Sequence, residues 1–91
     1  MKAEQTVEKY LCRRVKEAGG MAIKMTNCNG IPDRLILVNG GVYFVETKAV
    51  SGRLSPIQIA IQNRLKSMGY NVSVLWSVEA VNDWLCEVLP C

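Results

Sequence analysis

Asn39-Gly40 stands between two short apolar runs, Leu35-Ile36-Leu37-Val38 and Val42-Tyr43-Phe44-Val45, and this constrains the fold more than any other feature of the chain. A two-residue type I′ turn needs positive φ at both central positions, which Asn and Gly tolerate, and β-branched and aromatic runs on either side suit paired strands. An antiparallel hairpin of fixed register follows. With Asn39 and Gly40 in the turn, Val38 pairs with Gly41, and counting back places Asp33 opposite Glu46. Directly opposed residues project from one face of a sheet, and alternate residues of a strand share a face. Asp33, Glu46 and Lys48 are therefore expected together at the open end of the hairpin, with Thr47 on the other side. A slip of one residue would pair Asp33 with Thr47 and break the group, so the turn carries this expectation.

The flanking sequence supplies the rest of an α/β fold. Val7, Leu11, Val15 and Ala18 recur at helical spacing, which predicts a helix from about Glu4 to Ala18, stopped by Gly19-Gly20. Met21 to Met25 reads as a short strand, and Thr26 to Pro32 as a loop. Ser55-Pro56 opens a second helix, with Ser55 as N-cap, an apolar face of Ile57, Ile61 and Leu65, and Gly69 at its end. Val72 to Trp76 is a fourth strand, and Ser77 caps a last helix holding Val81, Trp84, Leu85 and Val88. The order is α-β-β-β-α-β-α. The helix between the third and fourth strands is a crossover, which makes those strands parallel. The expected architecture is a small mixed β-sheet flanked by helices.

Composition narrows the chemistry. The chain has 91 residues, 49% hydrophobic and 21% charged, which is one domain over residues 1–91 and not a disordered chain. No apolar run nears the roughly 20 residues of a membrane span, and no signal-like stretch is visible, so no membrane partner and a cytoplasmic location are expected. There is no histidine, which excludes Ser-His and Cys-His catalysis. Cys12, Cys28, Cys86 and Cys91 lack metal-site spacing and read as free thiols. A net charge of +3 permits a polyanionic partner without demonstrating one.

Two carboxylates brought together repel and resist ionisation unless a cation joins them. Magnesium or manganese suits such a pair, keeping coordination positions for water and phosphate, and Lys48 alongside can orient the attacking water and offset charge on a phosphate. The plain alternative is a turn residue at Asp33 and a solvated Glu46–Lys48 ion pair. Against it, Val42 to Val45 is apolar on both faces, as in a strand covered on both sides, and charges placed directly after such a strand are unfavourable without a purpose. Lys24 and Arg53 are candidate contacts to phosphates, with a solvated charge as the ordinary reading.

At this point the residues resemble a known family. Gly30-Ile31-Pro32-Asp33, the hairpin, Val45-Glu46-Thr47-Lys48 and Arg53-Leu54-Ser55-Pro56-Ile57-Gln58 are similar to the PD-(D/E)XK nuclease superfamily, and within it to the virus-type replication-repair nuclease (VRR-NUC) branch, over about Glu8 to Trp76. The resemblance implies a restriction-endonuclease-like core. It implies Asp33 and Glu46 as metal-binding carboxylates, Thr47 as a ligand through its backbone carbonyl with a side chain of little importance, and Lys48 as the catalytic lysine. It also implies Glu8 as a helical acidic residue serving the metal and Gln58 as a glutamine lining the same site. Gln58 lies at capping-box spacing from Ser55, and the two roles are expected to exclude one another. The chain departs from many relatives at Thr47, where they carry a hydrophobic residue, and at Ala49-Val50, where they carry Gly-Pro. The implied activity is structure-selective DNA endonuclease, of the phage type that resolves Holliday junctions as a homodimer, with no organic cofactor. A dimer would also cover apolar faces, among them Trp76 and Trp84. The rivals are a flap- or nick-directed nuclease, a non-catalytic DNA-binding module of the same fold, and an interaction domain whose carboxylates only form ion pairs.

Overall fold

The computed structural model describes residues 3–90. The elements follow in the expected order: α1 (Ala3–Glu17), β1 (Met21–Lys24), β2 (Arg34–Val38), β3 (Gly41–Thr47), α2 (Pro56–Ser67), β4 (Asn71–Leu75) and α3 (Val78–Val88). The turn between β2 and β3 takes positive φ at Asn39 (50°) and Gly40 (75°), as a type I′ hairpin requires. The hairpin register runs from Val38↔Gly41 to Arg34↔Val45, so the next pair outward is Asp33 and Glu46. The sheet order is β1-β2-β3-β4, with β3 and β4 parallel across the α2 crossover.

The two faces of the sheet are finished differently. On one, α1 presents Val7, Leu11 and Val15, and α3 presents Val81, Trp84 and Leu85. They close over Ile36, Val38, Val45 and Leu75 to form the core. Tyr43 meets Trp84 edge to face, with ring centroids 5.6 Å apart. Tyr10 and Arg14 of α1 both donate hydrogen bonds to Asn82 Oδ1 of α3, at 2.7 Å each, and tie the two helices together. Trp84 is thus a core residue at 5% exposure, which corrects the expectation that it lies on an apolar face awaiting a dimer. Trp76 is half-buried.

The opposite face carries only α2, which packs along β4 and leaves the other edge open. Met21, Ile23 and Val42 remain 61%, 37% and 47% exposed, so β3 is covered on both sides at its Glu46 end and not at its turn end. The buried stripe of α2 is also rotated from the one expected. Gln62 and Leu65 are its buried residues, whereas Ile57 is 42% exposed. The inward stripe is polar where α2 passes the end of β3, and periodicity counted on apolar residues alone misplaces it. No described helix is long and apolar enough to cross a membrane. Cys12 and Cys28 are free thiols; Cys91 lies outside the described residues.

Candidate active site

The open end of the hairpin gathers the expected residues into one hydrogen-bonded unit. The Asp33 N–H donates to Glu46 Oε1 at 3.2 Å. Asp33 Oδ2 in turn accepts from the Thr47 N–H at 3.2 Å and from the Thr47 hydroxyl at 3.1 Å. Each carboxylate is held by the strand bearing the other, so the turn that sets the register also sets the spacing of the charges. Thr47 is fully buried, and its hydroxyl aims Asp33. This corrects the reading that its side chain matters little, since a hydrophobic residue there would leave Asp33 Oδ2 one donor short.

The third carboxylate comes from Glu4. Ligand oxygens of Glu4, Asp33 and Glu46 all lie within 4.8 Å of one another. Glu8, one helical turn later, points elsewhere. Its Oε2 is 2.8 Å from both Lys24 Nζ and Arg34 Nε. Burial alone would raise the Glu8 carboxyl, but the hydrogen bonds from Lys24 and Arg34 hold it below its ordinary value. The helical acid at the cluster is therefore Glu4 rather than the expected Glu8, and Glu8 is neutralised structurally. The signal available in the sequence was the i, i+4 spacing, which puts both acids on one side of α1 without saying which turn reaches the hairpin.

Around the cluster, charge is unbalanced. Glu46 is 1% exposed, and burial, reinforced by the neighbouring Asp33, pushes its carboxyl up to about 7. Lys48 Nζ stands 3.8 Å from Glu46 Oε2, with its side chain 15% exposed, and opposes that rise. Three carboxylates face one ammonium, and a divalent cation would restore the balance. The donor set fits a hard ion. Carboxylate oxygens are the ligands that magnesium and manganese take, and these three residues would hold such an ion.

Gln58 does both things thought exclusive. Its Oε1 accepts from the Ser55 N–H at 2.9 Å, completing the capping box, while its Nε2 lies 3.4 Å from Glu46 Oε2. A side-chain amide carries an acceptor and donors on opposite atoms, so one residue both ends the helix and fixes the carboxylate. Gly30 lets α2 come this close: at φ +86°, a Cβ there would stand 2.9 Å from Ile57 Cγ1. Gln62, one turn beyond Gln58, is buried with its Nε2 unpartnered, and sequence reading passed it over. Of the two candidate phosphate contacts, Arg53 is exposed in the loop ahead of α2, whereas Lys24 is committed to Glu8.

No family model matches the sequence. A curated protein does, named "Putative nuclease p44" and from Acyrthosiphon pisum secondary endosymbiont phage 1. It is 38% identical over 90 residues, covering 96% of this chain and 91% of the relative. Among solved structures, a VRR_NUC domain superposes with a TM-score of 0.87 at 31% identity, covering 99% of this chain and all of that one. Likeness in both sequence and fold, over nearly the full length, places the chain in the VRR-NUC nuclease family.

Proposed function

We propose that this chain is a metal-dependent, structure-selective DNA endonuclease, one domain over residues 1–91, that resolves four-way (Holliday) junctions. The observation that carries the reading is the convergence of Glu4 and Asp33 on the buried Glu46, beside Lys48. Like charges gathered around a buried carboxylate destabilise a fold unless a cation neutralises them.

Glu4, Asp33 and Glu46 would hold the cation, with the Thr47 carbonyl as a further ligand. Bound there, magnesium or manganese supplies Lewis-acid polarisation of the phosphate and a more acidic water. The protein's own groups do the rest. Thr47 and Gln58 fix the orientation of Asp33 and Glu46, so the carboxylates need no rearrangement when substrate arrives. The Lys48 ammonium orients the attacking water and sits where negative charge builds on the phosphoryl oxygens. As the water oxygen bonds to phosphorus in line, the bond to the 3′ oxygen breaks. The products are a 5′-phosphate and a 3′-hydroxyl. Arg53, exposed in the loop between Lys48 and α2, contacts a neighbouring phosphate.

The exposed Met21, Ile23 and Val42 support a homodimer, because contiguous apolar surface on a sheet face is favourable to cover. A two-fold pair of sites matches a junction with two strands to cut. The phage origin of the curated relative supports action in the host cytoplasm.

The test is cleavage of a four-way junction, a flap, a nicked duplex and a single strand in parallel, with magnesium or manganese, alongside light scattering. The junction is expected to be cut fastest by a dimer. Asp33→Ala and Lys48→Ala should each slow cleavage by at least about a hundredfold. Wild-type rates in either variant refute the mechanism, and a faster flap reaction moves the substrate to the flap class.

A further inference from the structure

Beside the cation cluster lies a cleft of about 470 Å³ that the mechanism above does not use. Its lining includes Trp76, Ala3, Val7 and Val50, with Thr6 and with Ser77, whose hydroxyl also caps α3. Two of its residues are next to site residues along the chain. Ala3 immediately precedes Glu4, and the cleft residue Ala49 immediately follows Lys48. The Lys48 N–H donates to the Leu75 carbonyl at 3.0 Å, which draws the chain at Trp76 alongside the lysine.

Two residues of the cleft leave apolar surface in solvent. Val50 is 82% exposed, the most exposed of the large apolar residues among those described, on the loop that leaves the active strand. Trp76 is only half-buried, although Trp84 shows that this small core can enclose an indole completely enough to leave 5% exposed. An open apolar slot with an aromatic wall and scattered hydroxyls matches a flat heteroaromatic ring of modest polarity. Its volume is within the roughly 300–1,000 Å³ of small-ligand sites. A nucleotide whose phosphate is drawn to the cluster through its cation brings a base with it, and every nucleobase offers a π-face for stacking.

We infer that the cleft receives an unpaired nucleobase next to the scissile phosphate, stacked on Trp76 under Val50. The inference rests on the nuclease reading and narrows its substrate to DNA in which a nucleotide beside the cut opens readily, as the pairs next to a branch point do and those inside a continuous duplex do not. Stacking reads no particular base, so the slot selects for structure and is indifferent to sequence.

The experiment is a coupling measurement. Wild-type protein and the Trp76→Ala variant are titrated, in calcium to limit turnover, with four-way junctions that are intact or carry an abasic site at each position around the branch in turn. At one position the wild type is expected to lose about fivefold or more in affinity, while Trp76→Ala, already weakened by a similar factor, loses nothing further. Val50→Ser, which changes a residue standing in solvent, should give a smaller loss at the same position and keep the wild-type melting temperature. That control separates loss of stacking from damage to the fold. Additive losses at every position overturn the base slot. If cleavage of intact junctions nevertheless proceeds in magnesium, the nuclease reading stands without the slot; if the wild type neither binds nor cleaves, both fall.

Discussion

At its turn end the β2–β3 hairpin buries Ile36, Val38 and Tyr43 beneath α1 and α3, with Trp84 set edge-on against Tyr43. At its open end the same two strands bury Glu46 and Thr47 as deeply, with Asp33 and Lys48 half-covered beside them. The first end is made of groups that lose little on leaving water. The second is made of groups that lose a great deal and are only partly compensated, by one ammonium and a few hydrogen bonds. One register serves both, so the apolar end secures the geometry that the charged end requires. The difference shows stability and chemistry separated along a single ribbon, with the strain of the site borne by the packing at the far end.

Three tests probe that division, from the largest effect to the smallest. Trp84→Ala removes the main cover of the turn end and should destabilise the protein by about 3–5 kcal/mol. Denaturant unfolding measures this. Below the melting transition the cation affinity per folded molecule should hardly change, and a large loss of affinity would mean the two ends are not separate.

Glu46→Gln acts on the charged end. In the metal-free protein the folded state keeps the Glu46 proton up to about pH 7, whereas an ordinary carboxyl releases it near 4.5. The folded state then holds more protons than the unfolded one across that window, so stability falls as pH rises through it. At about 1.4 kcal/mol per pH unit, the fall is as much as about 3 kcal/mol. In EDTA, the variant is expected to lose this slope and to be the more stable protein at neutral pH. Magnesium should stabilise the wild type increasingly above pH 7 and leave the variant unmoved. A wild type whose melting temperature is level from pH 4.5 to 7.5 contradicts the uncompensated charge.

The third test divides the two acids of α1. Glu8→Gln should lower stability by about 1–2 kcal/mol, since Lys24 and Arg34 lose their shared partner, with cation affinity kept. Glu4→Gln should do the reverse, weakening cation binding by about tenfold with stability little changed. Isothermal titration with manganese and thermal melts read both at once. The opposite pattern would return Glu8 to the cluster.

The hairpin register was fully legible in the sequence, because Asn39-Gly40 admits few turns and a register, once set, determines every opposed pair. The charges at Asp33, Glu46 and Lys48 came with it. The role of Thr47 escaped, because alternation sends its side chain away from the strand face of Glu46. The Asp33 carboxylate lies just beyond β2, where strand rules no longer govern its direction, and it turns across to meet Thr47. Glu4 escaped because a helical period fixes which side of α1 an acid occupies, while the pitch at which α1 crosses the sheet decides which turn meets the hairpin. The buried stripe of α2 escaped for a related reason. Gln58 and Gln62 face inward because the site below them is polar, and a hydrophobic pattern does not register polar residues turned toward a polar interior.

Placement of Glu4 in the first turn of α1 carries a practical corollary for handling the protein. Anything fused ahead of that helix becomes a close neighbour of the carboxylate cage. A polyhistidine tag there would bring imidazoles that carry nickel or zinc to the carboxylates, and metal titrations would then report the tag along with the enzyme. Purification through the opposite terminus keeps the measured affinity that of the three carboxylates themselves.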